Sequence, residues 1–253
     1  MNPNDLEQLI RSCIDEFYRR RIENLSKLRL HEVLRRRNPY LLRAVGFRTA
    51  VELAEYLLRL HTQASDETIF GDAFVEPIVL AVSQGKKSSA KGIDIEIETE
   101  TAYKAVAVKS GPNVFNSSQV ARMNDEFQEL QNRLRQHLQR LGKQFDPILG
   151  CSYGRRNSPP TKRRHYRLVA GQAFWHELTG DTNFYLKLIH LMRNYPEQYR
   201  YQYEEEWAKA INRFTRALLN DFATEDGRLN WEKIVEFNSA WTNNTIEEAI
   251  VDE

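Results

Sequence analysis

Apolar and acidic side chains alternate strictly in one short stretch of the chain. The alternating residues are Ile93, Asp94, Ile95, Glu96, Ile97 and Glu98. A period of two is typical of a strand with one buried and one polar face. After a polar turn, the sequence Ala-Val-Ala-Val-Lys at residues 105–109 predicts a second strand, so the two form a hairpin. In such a hairpin Asp94 approaches Lys109, on a face that we expect Ala105 and Ala107 to keep open.

Helical periodicity dominates the rest of the chain, where apolar residues recur at steps of three and four. It predicts helices over residues 4–25, 28–34, 49–61, 66–83, 120–141, 174–178, 181–222 and 231–237. Pro77 implies a kink or a break within the fourth of these helices. An apolar run at 147–153 predicts a third strand, which is followed by a basic loop at 154–165.

The order of these elements is helix, hairpin, helix, strand and helices. It predicts an α/β protein in which a mixed β-sheet is packed by helices, with helical additions at both ends of the chain. We expect a single domain over residues 1–253, since no linker is long enough to force a boundary. Its parts are a helical N-terminal part (1–62), a core (63–180) and a helical C-terminal part (181–253).

Composition indicates a globular protein that works in the cytoplasm. Of the 253 residues, 41% are hydrophobic and 28% are charged. No apolar run approaches the roughly 20 residues of a membrane span, and the N-terminus lacks the pattern of a secretory signal. The two cysteines, Cys13 and Cys151, form no C-x-x-C motif, which favours a reducing compartment.

The net charge is only +1, but basic residues cluster in two stretches. Residues 27–43 carry six basic side chains against one acid, and residues 151–167 carry six and no acid. Such clusters indicate a polyanionic partner. Solvated helix faces and loops are the simpler interpretation, especially for the first cluster.

Several other chemistries are disfavoured by the sequence. The six histidines form no H-E-x-x-H motif and no zinc-binding spacing with cysteine. The chain also lacks a glycine-rich phosphate loop and a dinucleotide-binding fingerprint. Cys151 lies in a predicted strand, where a core position is more common than a nucleophile.

Six short motifs, in this order, resemble the PD-(D/E)xK nuclease superfamily and, within it, a family of type II restriction endonucleases. They are Phe70-Gly71-Asp72 with Glu76, Ser88-Ser89-x-x-Gly92-Ile93-Asp94, Val108-Lys109-Ser110-Gly111-Pro112-Asn113, Asn116-Ser117-Ser118-Gln119, Gly150-Cys151-Ser152-Tyr153-Gly154, and Gly171-Gln172-x-Phe174-Trp175. The resemblance covers about residues 25 to 240. It implies a restriction-endonuclease-like fold, a magnesium-dependent endonuclease, double-stranded DNA as the substrate and usually a homodimer.

The resemblance makes Asp94 a metal ligand, and Lys109 the lysine that positions the attacking water or steadies charge on the phosphate. The usual pattern places an acid two residues before the lysine, where this chain has Ala107. A second carboxylate must then come from elsewhere. Glu76 is favoured, because its apolar neighbours make an unpaired charge costly. Glu96 is the other candidate, because period two puts it on the strand face of Asp94.

A polar cluster after the second strand and the basic loop are candidate DNA contacts. Helix N-termini bind phosphate, and Asn and Gln can read adenine, although plain helix capping accounts for some of these residues. The candidates are Ser110, Asn113, Asn116, Ser117, Ser118, Gln119, Arg155, Arg156, Lys162, Arg163 and Arg164. Tyr153, Tyr166 and Trp175 are expected to be core or edge aromatics.

Three functions remain open on the sequence. The first is a site-specific, magnesium-dependent DNA endonuclease that leaves 5′-phosphate ends. The second is a repair or recombination nuclease of the same fold. The third is a non-catalytic DNA-binding protein, in which Ala107 records a lost site.

Overall fold

The computed structural model describes residues 2–111 and 116–241, and these contain ten α-helices and a five-stranded sheet. The helices are α1 (Pro3–Lys27), α2 (Leu30–Leu34), α3 (Pro39–Val45), α4 (Ala50–Phe70), α5 (Glu76–Ser83), α6 (Ser117–Leu141), α7 (Gln172–Thr179), α8 (Phe184–Met192), α9 (Arg200–Phe222) and α10 (Trp231–Ser239). The predicted helical segments are confirmed with three differences: α4 extends beyond residue 61, the short α3 was not predicted, and the segment 181–222 is divided into α8, a 3-10 segment (Tyr195–Tyr199) and α9.

The strands are β1 (Lys86–Lys87), β2 (Ile95–Glu98), β3 (Ala102–Lys109), β4 (Gln144–Cys151) and β5 (Arg167–Ala170). They lie in the order β1-β2-β3-β4-β5, with the first two pairs antiparallel and the last two parallel. The predicted α/β class, a mixed sheet flanked by helices, is confirmed, as is the hairpin. The edge strands β1 and β5 were not predicted, because two and four residues give too little periodicity.

Helix α6 covers one face of the sheet. Its side chains Met123, Phe127 and Leu130 form a buried cluster with residues of the strands, among them Ala105 and Ala107. Both alanines are fully buried. The expectation that these alanines keep a face open is therefore wrong, since they let α6 pack closely on β3 instead.

Helix α7 packs on the other face of the sheet. The ring of Phe174 lies so close to Gly150 in β4 that a Cβ on this glycine would meet it at 2.1 Å. Cys151, the next residue along β4, faces α6 and is fully buried. Burial raises the pKa of its thiol to about 11, so Cys151 is a core residue, as predicted.

A π-helical segment, Gly71–Val75, separates α4 from α5. Pro77 explains the interruption, because its ring has no N–H to donate and clashes with the carbonyl four residues earlier in a regular α-helix. That carbonyl belongs to Ala73, in the middle of the segment. The predicted break is confirmed. The wide turn also brings Gly71 close to Ser110, at the end of β3.

The chain divides into two compact units, of which the first comprises residues 1–18 and 67–198 and contains the sheet. The second comprises residues 19–66 and 199–253, and its described residues are helical and have their own core. In that core lie Phe214, Leu218 and Phe222, which are spaced four residues apart on one face of α9. The Asn230 side chain accepts a hydrogen bond from Lys233 N–H and caps α10.

Among the described residues, no helix combines the length and the apolar character needed to cross a bilayer. The prediction of a single domain over residues 1–253 stays a prediction.

Candidate active site

An open cleft of about 560 Å³ lies in the first unit, where the C-terminal end of β3 meets the π-helical segment and α5. Asp94, Lys109 and Glu76 all line it. The structure therefore brings together the three residues that the sequence favoured for catalysis, from a loop before β2, the end of β3 and the start of α5.

Asp94 is half-buried, and its carboxylate accepts a hydrogen bond of 2.6 Å from the backbone N–H of Val108. Burial raises the pKa of Asp94 above its ordinary value, and the nearby charge of Glu76 adds to this. The Val108 N–H, Lys109 and Lys87 oppose the rise without reversing it. The carboxylate is thus fixed in position while its charge is incompletely compensated, a setting that favours a bound cation.

The turn that leads into Asp94 depends on Gly92, which has a φ of +73°. A Cβ at this position would also lie 1.8 Å from a carboxylate oxygen of Glu126, a buried residue of α6. Only glycine meets both requirements without strain. The Gly-Ile-Asp motif therefore sets the direction in which the chain enters the cleft.

At the end of β3, Lys109 and Ser110 line the cleft together with Gly111. The ring of Tyr153 lies against Gly111, where a Cβ would approach it to 2.5 Å. Tyr153 is 57% exposed, so it is not a core residue, whereas an edge position agrees with its place just after β4. Tyr166 and Trp175 are buried, as expected.

Glu76 is the first residue of α5 and its side chain is half-buried. The ammonium of Lys87 lies 2.9 Å from Glu76 Oε1 and forms an ion pair with it. Lys87 was not predicted as a site residue, because it lies in a Lys- and Ser-rich stretch that resembles a plain loop. Lys87 belongs to the short strand β1, and this strand can be recognised only from its pairing with β2.

The donors of the cleft fit a hard cation such as magnesium. Among residues 2–111 and 116–241, no three or more Asp, Glu, His or Cys side chains converge into a complete metal cage. Magnesium rarely uses such a cage, since it keeps several waters and takes one or two carboxylates together with substrate phosphate. Asp94 and Glu76 are two of the four carboxylates that line the open cleft, together with Glu67 and Asp72, and the open side leaves room for water and phosphate.

Glu96, the alternative second carboxylate, is only 8% exposed, and it is not among the residues that line the cleft. It accepts hydrogen bonds from Ser88 Oγ at 2.5 Å and from the Tyr103 hydroxyl. Burial works against its charge, but these hydrogen bonds outweigh burial and lower the pKa of Glu96. The structure gives this carboxylate partners that tie β1 and β3 to β2.

Ala107 occupies the position where the resembled pattern has an acid. It is fully buried in the cluster under α6 and offers no oxygen or nitrogen from its side chain. Besides Asp94, the described residues that line the cleft include three other carboxylates, those of Glu67, Asp72 and Glu76, and Glu76 on α5 is the one that the sequence favoured.

The polar cluster at the N-terminus of α6 forms a capping box. The Asn116 side chain accepts from the Gln119 N–H at 2.9 Å, and the Gln119 side chain accepts from the Asn116 N–H at 3.0 Å. Ser118 Oγ also donates to Asn116, and Ser117 is exposed. Capping therefore uses the side-chain oxygens of Asn116 and Gln119, Oδ1 and Oε1. Asn113, another candidate, lies outside the described residues.

The basic loop between β4 and β5 has one structural arginine and several exposed ones. Arg164 donates to Ser158 Oγ at 2.6 Å and to the carbonyls of Pro159 and Tyr166 at 2.7 and 3.1 Å. Its guanidinium is therefore used to hold the loop together. The other basic candidates of the loop, all exposed, are Arg155, Arg156, Lys162 and Arg163.

Comparison with known proteins identifies the family. A search of curated proteins finds no match. A family model described as type II restriction endonuclease EcoO109I matches residues 4–198, which is more than half of the chain. The match begins earlier and ends earlier than the span expected from the motifs, and it includes every residue of the cleft. The chain belongs to the family of the type II restriction endonuclease EcoO109I.

Proposed function

We propose that this protein cleaves double-stranded DNA at specific sites in a magnesium-dependent reaction, with a PD-(D/E)xK-type centre formed by Asp94, Glu76 and Lys109. One observation carries the proposal: two carboxylates and a lysine, contributed by three separate elements, line one open cleft. Phosphodiester hydrolysis needs this combination, because negative charge builds on the phosphate while water attacks. Membership of a restriction endonuclease family supports DNA as the substrate.

In this proposal Asp94 and Glu76 would hold the magnesium ion. The bound ion would lower the pKa of a coordinated water and withdraw charge from the phosphate. The Val108 N–H keeps the Asp94 carboxylate pointing into the cleft. Lys109 places a positive charge beside Asp94, where it would bind a phosphate oxygen and orient the attacking water. Water adds to phosphorus and the bond to the 3′-oxygen breaks, so the ends carry 5′-phosphate and 3′-hydroxyl groups.

The DNA would lie across the cleft and contact the exposed basic residues of the loop between β4 and β5. Exposed arginines and lysines neutralise backbone phosphates, which supplies affinity without sequence information. Arg155, Arg156, Lys162 and Arg163 have the exposure that this role requires. Ser117 and the amide nitrogens of Asn116 and Gln119 are candidate contacts at the N-terminus of α6.

We also propose a homodimer in the cytoplasm. The described chain has one cleft of this kind, whereas a duplex has two strands to cut, so two copies would supply one centre per strand. Sedimentation of the purified protein with and without a DNA duplex measures this directly. A monomer that makes double-strand breaks in a single binding event would contradict it.

The decisive experiment is incubation of the purified protein with phage DNA of known sequence in the presence of magnesium. Discrete bands that disappear with EDTA support the proposal. Random nicking would favour a repair or recombination nuclease instead. Binding without cleavage would favour a DNA-binding protein whose site has been lost, with Ala107 as the trace of that loss.

A further inference from the structure

Lys87 is a charged residue of the cleft region to which the proposed reaction assigns no part. Its ammonium pairs with Glu76 Oε1 at 2.9 Å. The side chain of Lys87 is 71% exposed, whereas that of Glu76 is 27% exposed. A flexible cation therefore reaches from the surface to a carboxylate that the proposed function gives to magnesium.

Strand β1 sets the direction of Lys87. In the antiparallel register, Lys86 pairs with Glu96 and Lys87 pairs with Ile95. Successive side chains of a strand point to opposite faces, so the two lysines diverge. Lys86 lies 3.5 Å from Glu96 on one face, and Lys87 reaches Glu76 of α5 on the other.

Hydrogen bonds of Ser88, the residue after β1, hold Lys87 in this orientation. The Ser88 N–H donates to the backbone carbonyl of Asp94 at 2.9 Å, and Ser88 Oγ donates to the buried Glu96. The segment that carries Lys87 is thus fixed to the same strand entrance that carries Asp94. The hydrogen bond to Glu76 and the charge of Glu76, with smaller contributions from Asp94 and Asp72, raise the pKa of Lys87.

An ammonium and a metal ion cannot both occupy one carboxylate oxygen, and their like charges repel each other. We propose that Lys87 is a positioning residue that holds Glu76 as an ion pair in the metal-free enzyme and competes with the metal ion for Glu76 Oε1. This inference rests on the proposed function, because it takes Glu76 as a metal ligand. In the metal-free protein Lys87 then neutralises part of the negative charge of Glu76, and metal binding requires Lys87 to move away from Glu76 Oε1.

The chain offers a matched control in the preceding residue. Lys86 and Lys87 are 70% and 71% exposed, each pairs with a glutamate, and only Lys87 pairs with Glu76. Lys87→Met and Lys86→Met therefore remove the same charge from adjacent positions of one strand. Because both stems are exposed, we expect both variants to fold, which circular dichroism and thermal unfolding check.

The test measures the binding of Mn²⁺, as a spectroscopic probe for magnesium, by electron paramagnetic resonance of the full-length protein without DNA. We expect Lys87→Met to lower the Kd for Mn²⁺ roughly three- to tenfold, because a positive charge that competes for Glu76 is removed. Lys86→Met should stay within about twofold of the wild type. In a Glu76→Gln background, the effect of Lys87→Met should disappear, since the competition acts through Glu76.

The possible results separate this inference from the proposed function. Equal Kd values for the wild type and Lys87→Met, or weaker binding by Lys87→Met, would overturn the role of Lys87 alone. An equal gain from Lys86→Met, or a gain that persists in the Glu76→Gln background, would also overturn it, because the effect would then be general electrostatics. No Mn²⁺ binding by any variant, with or without a DNA duplex, would overturn the metal site itself.

Discussion

The backbone N–H of Val108 donates to the Asp94 carboxylate at 2.6 Å, across the hairpin of β2 and β3. Through this bond, the strand that delivers Lys109 to the cleft also fixes the orientation of Asp94. The bond offsets only part of the cost of burying the charge, since the pKa of Asp94 remains raised. Active sites often contain a charged group that function requires and that lowers the stability of the fold.

Replacing Asp94 with asparagine should abolish cleavage and yet stabilise the fold. Asparagine keeps an oxygen that can accept from Val108 N–H, and it removes the half-buried charge. A carboxyl whose folded-state pKa is raised contributes stability below its unfolded-state pKa and loses this contribution as the pH rises through the folded-state pKa. The Tm of Asp94→Asn should therefore exceed that of the wild type at neutral pH, measured without metal.

The Tm difference between the two proteins should shrink as the pH approaches about 4, near the ordinary pKa of aspartate. Comparing variant with wild type at each pH cancels the titration of the other carboxylates. Cleavage by Asp94→Asn at a rate near that of the wild type would refute the site. A lower Tm at neutral pH would show instead that the charge of Asp94 is compensated in the folded protein.

Glu96→Gln should destabilise the fold at neutral pH, in contrast to Asp94→Asn. Hydrogen bonds from Ser88 and Tyr103 lower the pKa of Glu96, so its charge contributes stability above its unfolded-state pKa that is lost as the pH falls. We expect a loss of about 1.5–3 kcal/mol at neutral pH, the range for hydrogen bonds to charged groups. Denaturant unfolding measures this loss, and an unchanged free energy of unfolding would contradict the anchoring role.

The sequence predicted the elements with long or strict periodicity and missed those defined by pairing. The alternation at residues 93–98 identified the hairpin because one buried face imposes a period of two. Strand β1 has two residues, and its existence depends on the register of Lys86 with Glu96, a tertiary relationship. The burial of Ala105 and Ala107 was missed for a related reason, because small side chains suit either an open face or a closely packed helix.

In the candidate site too, the sequence predicted single residues but not the contacts between them. Glu76 could be singled out because a charge among apolar neighbours needs a partner. The identity of that partner, Lys87, follows from the fold alone, since the two residues meet across α5 and β1. Glu96 looked similar to Asp94 by alternation, yet its neighbours Ser88 and Tyr103 give it a structural environment. Periodicity assigns a strand face, whereas the packing around that face decides what each carboxylate contacts.

The two adjacent arginines of the basic loop should have different roles. Arg163→Ala removes an exposed charge, so it should change the slope of log K against log salt for DNA binding by about 0.9 and leave the Tm unchanged. Arg164→Ala removes the hydrogen bonds to Ser158, Pro159 and Tyr166, so it should make the loop more sensitive to limited proteolysis.

Arg140→Ala is a matched control for the charge. Arg140 is exposed at the C-terminal end of α6, beside the start of β4, whereas the cleft lies at the opposite end of the strands. Its removal should leave the salt slope within error of the wild type. If Arg163→Ala and Arg140→Ala have the same slope, the loop between β4 and β5 faces away from the DNA.

Glu76 is the candidate for the second carboxylate that binds the metal ion. Glu76→Gln keeps the shape of the side chain and removes the charge that would bind the metal ion. We expect the cleavage rate to fall by about two orders of magnitude, the typical cost of removing one electrostatic contact to a transition state. The magnesium concentration for half-maximal activity should also rise, because Asp94 alone holds the ion less tightly. Single-turnover cleavage of one duplex site, titrated with magnesium, measures both quantities.

Glu67→Gln is the control for a general change of charge in the cleft. Glu67 lines the same cleft from α4 and is exposed, so its removal should change the rate and the magnesium requirement by less than about threefold. Glu96→Gln, assayed at a temperature where it is fully folded, should retain cleavage because its carboxylate is engaged by Ser88 and Tyr103. Normal cleavage by Glu76→Gln together with an inactive, folded Glu96→Gln would transfer the second ligand to β2. In that case the ion pair with Lys87 would be a structural contact, since the carboxylate that it holds would have no part in metal binding.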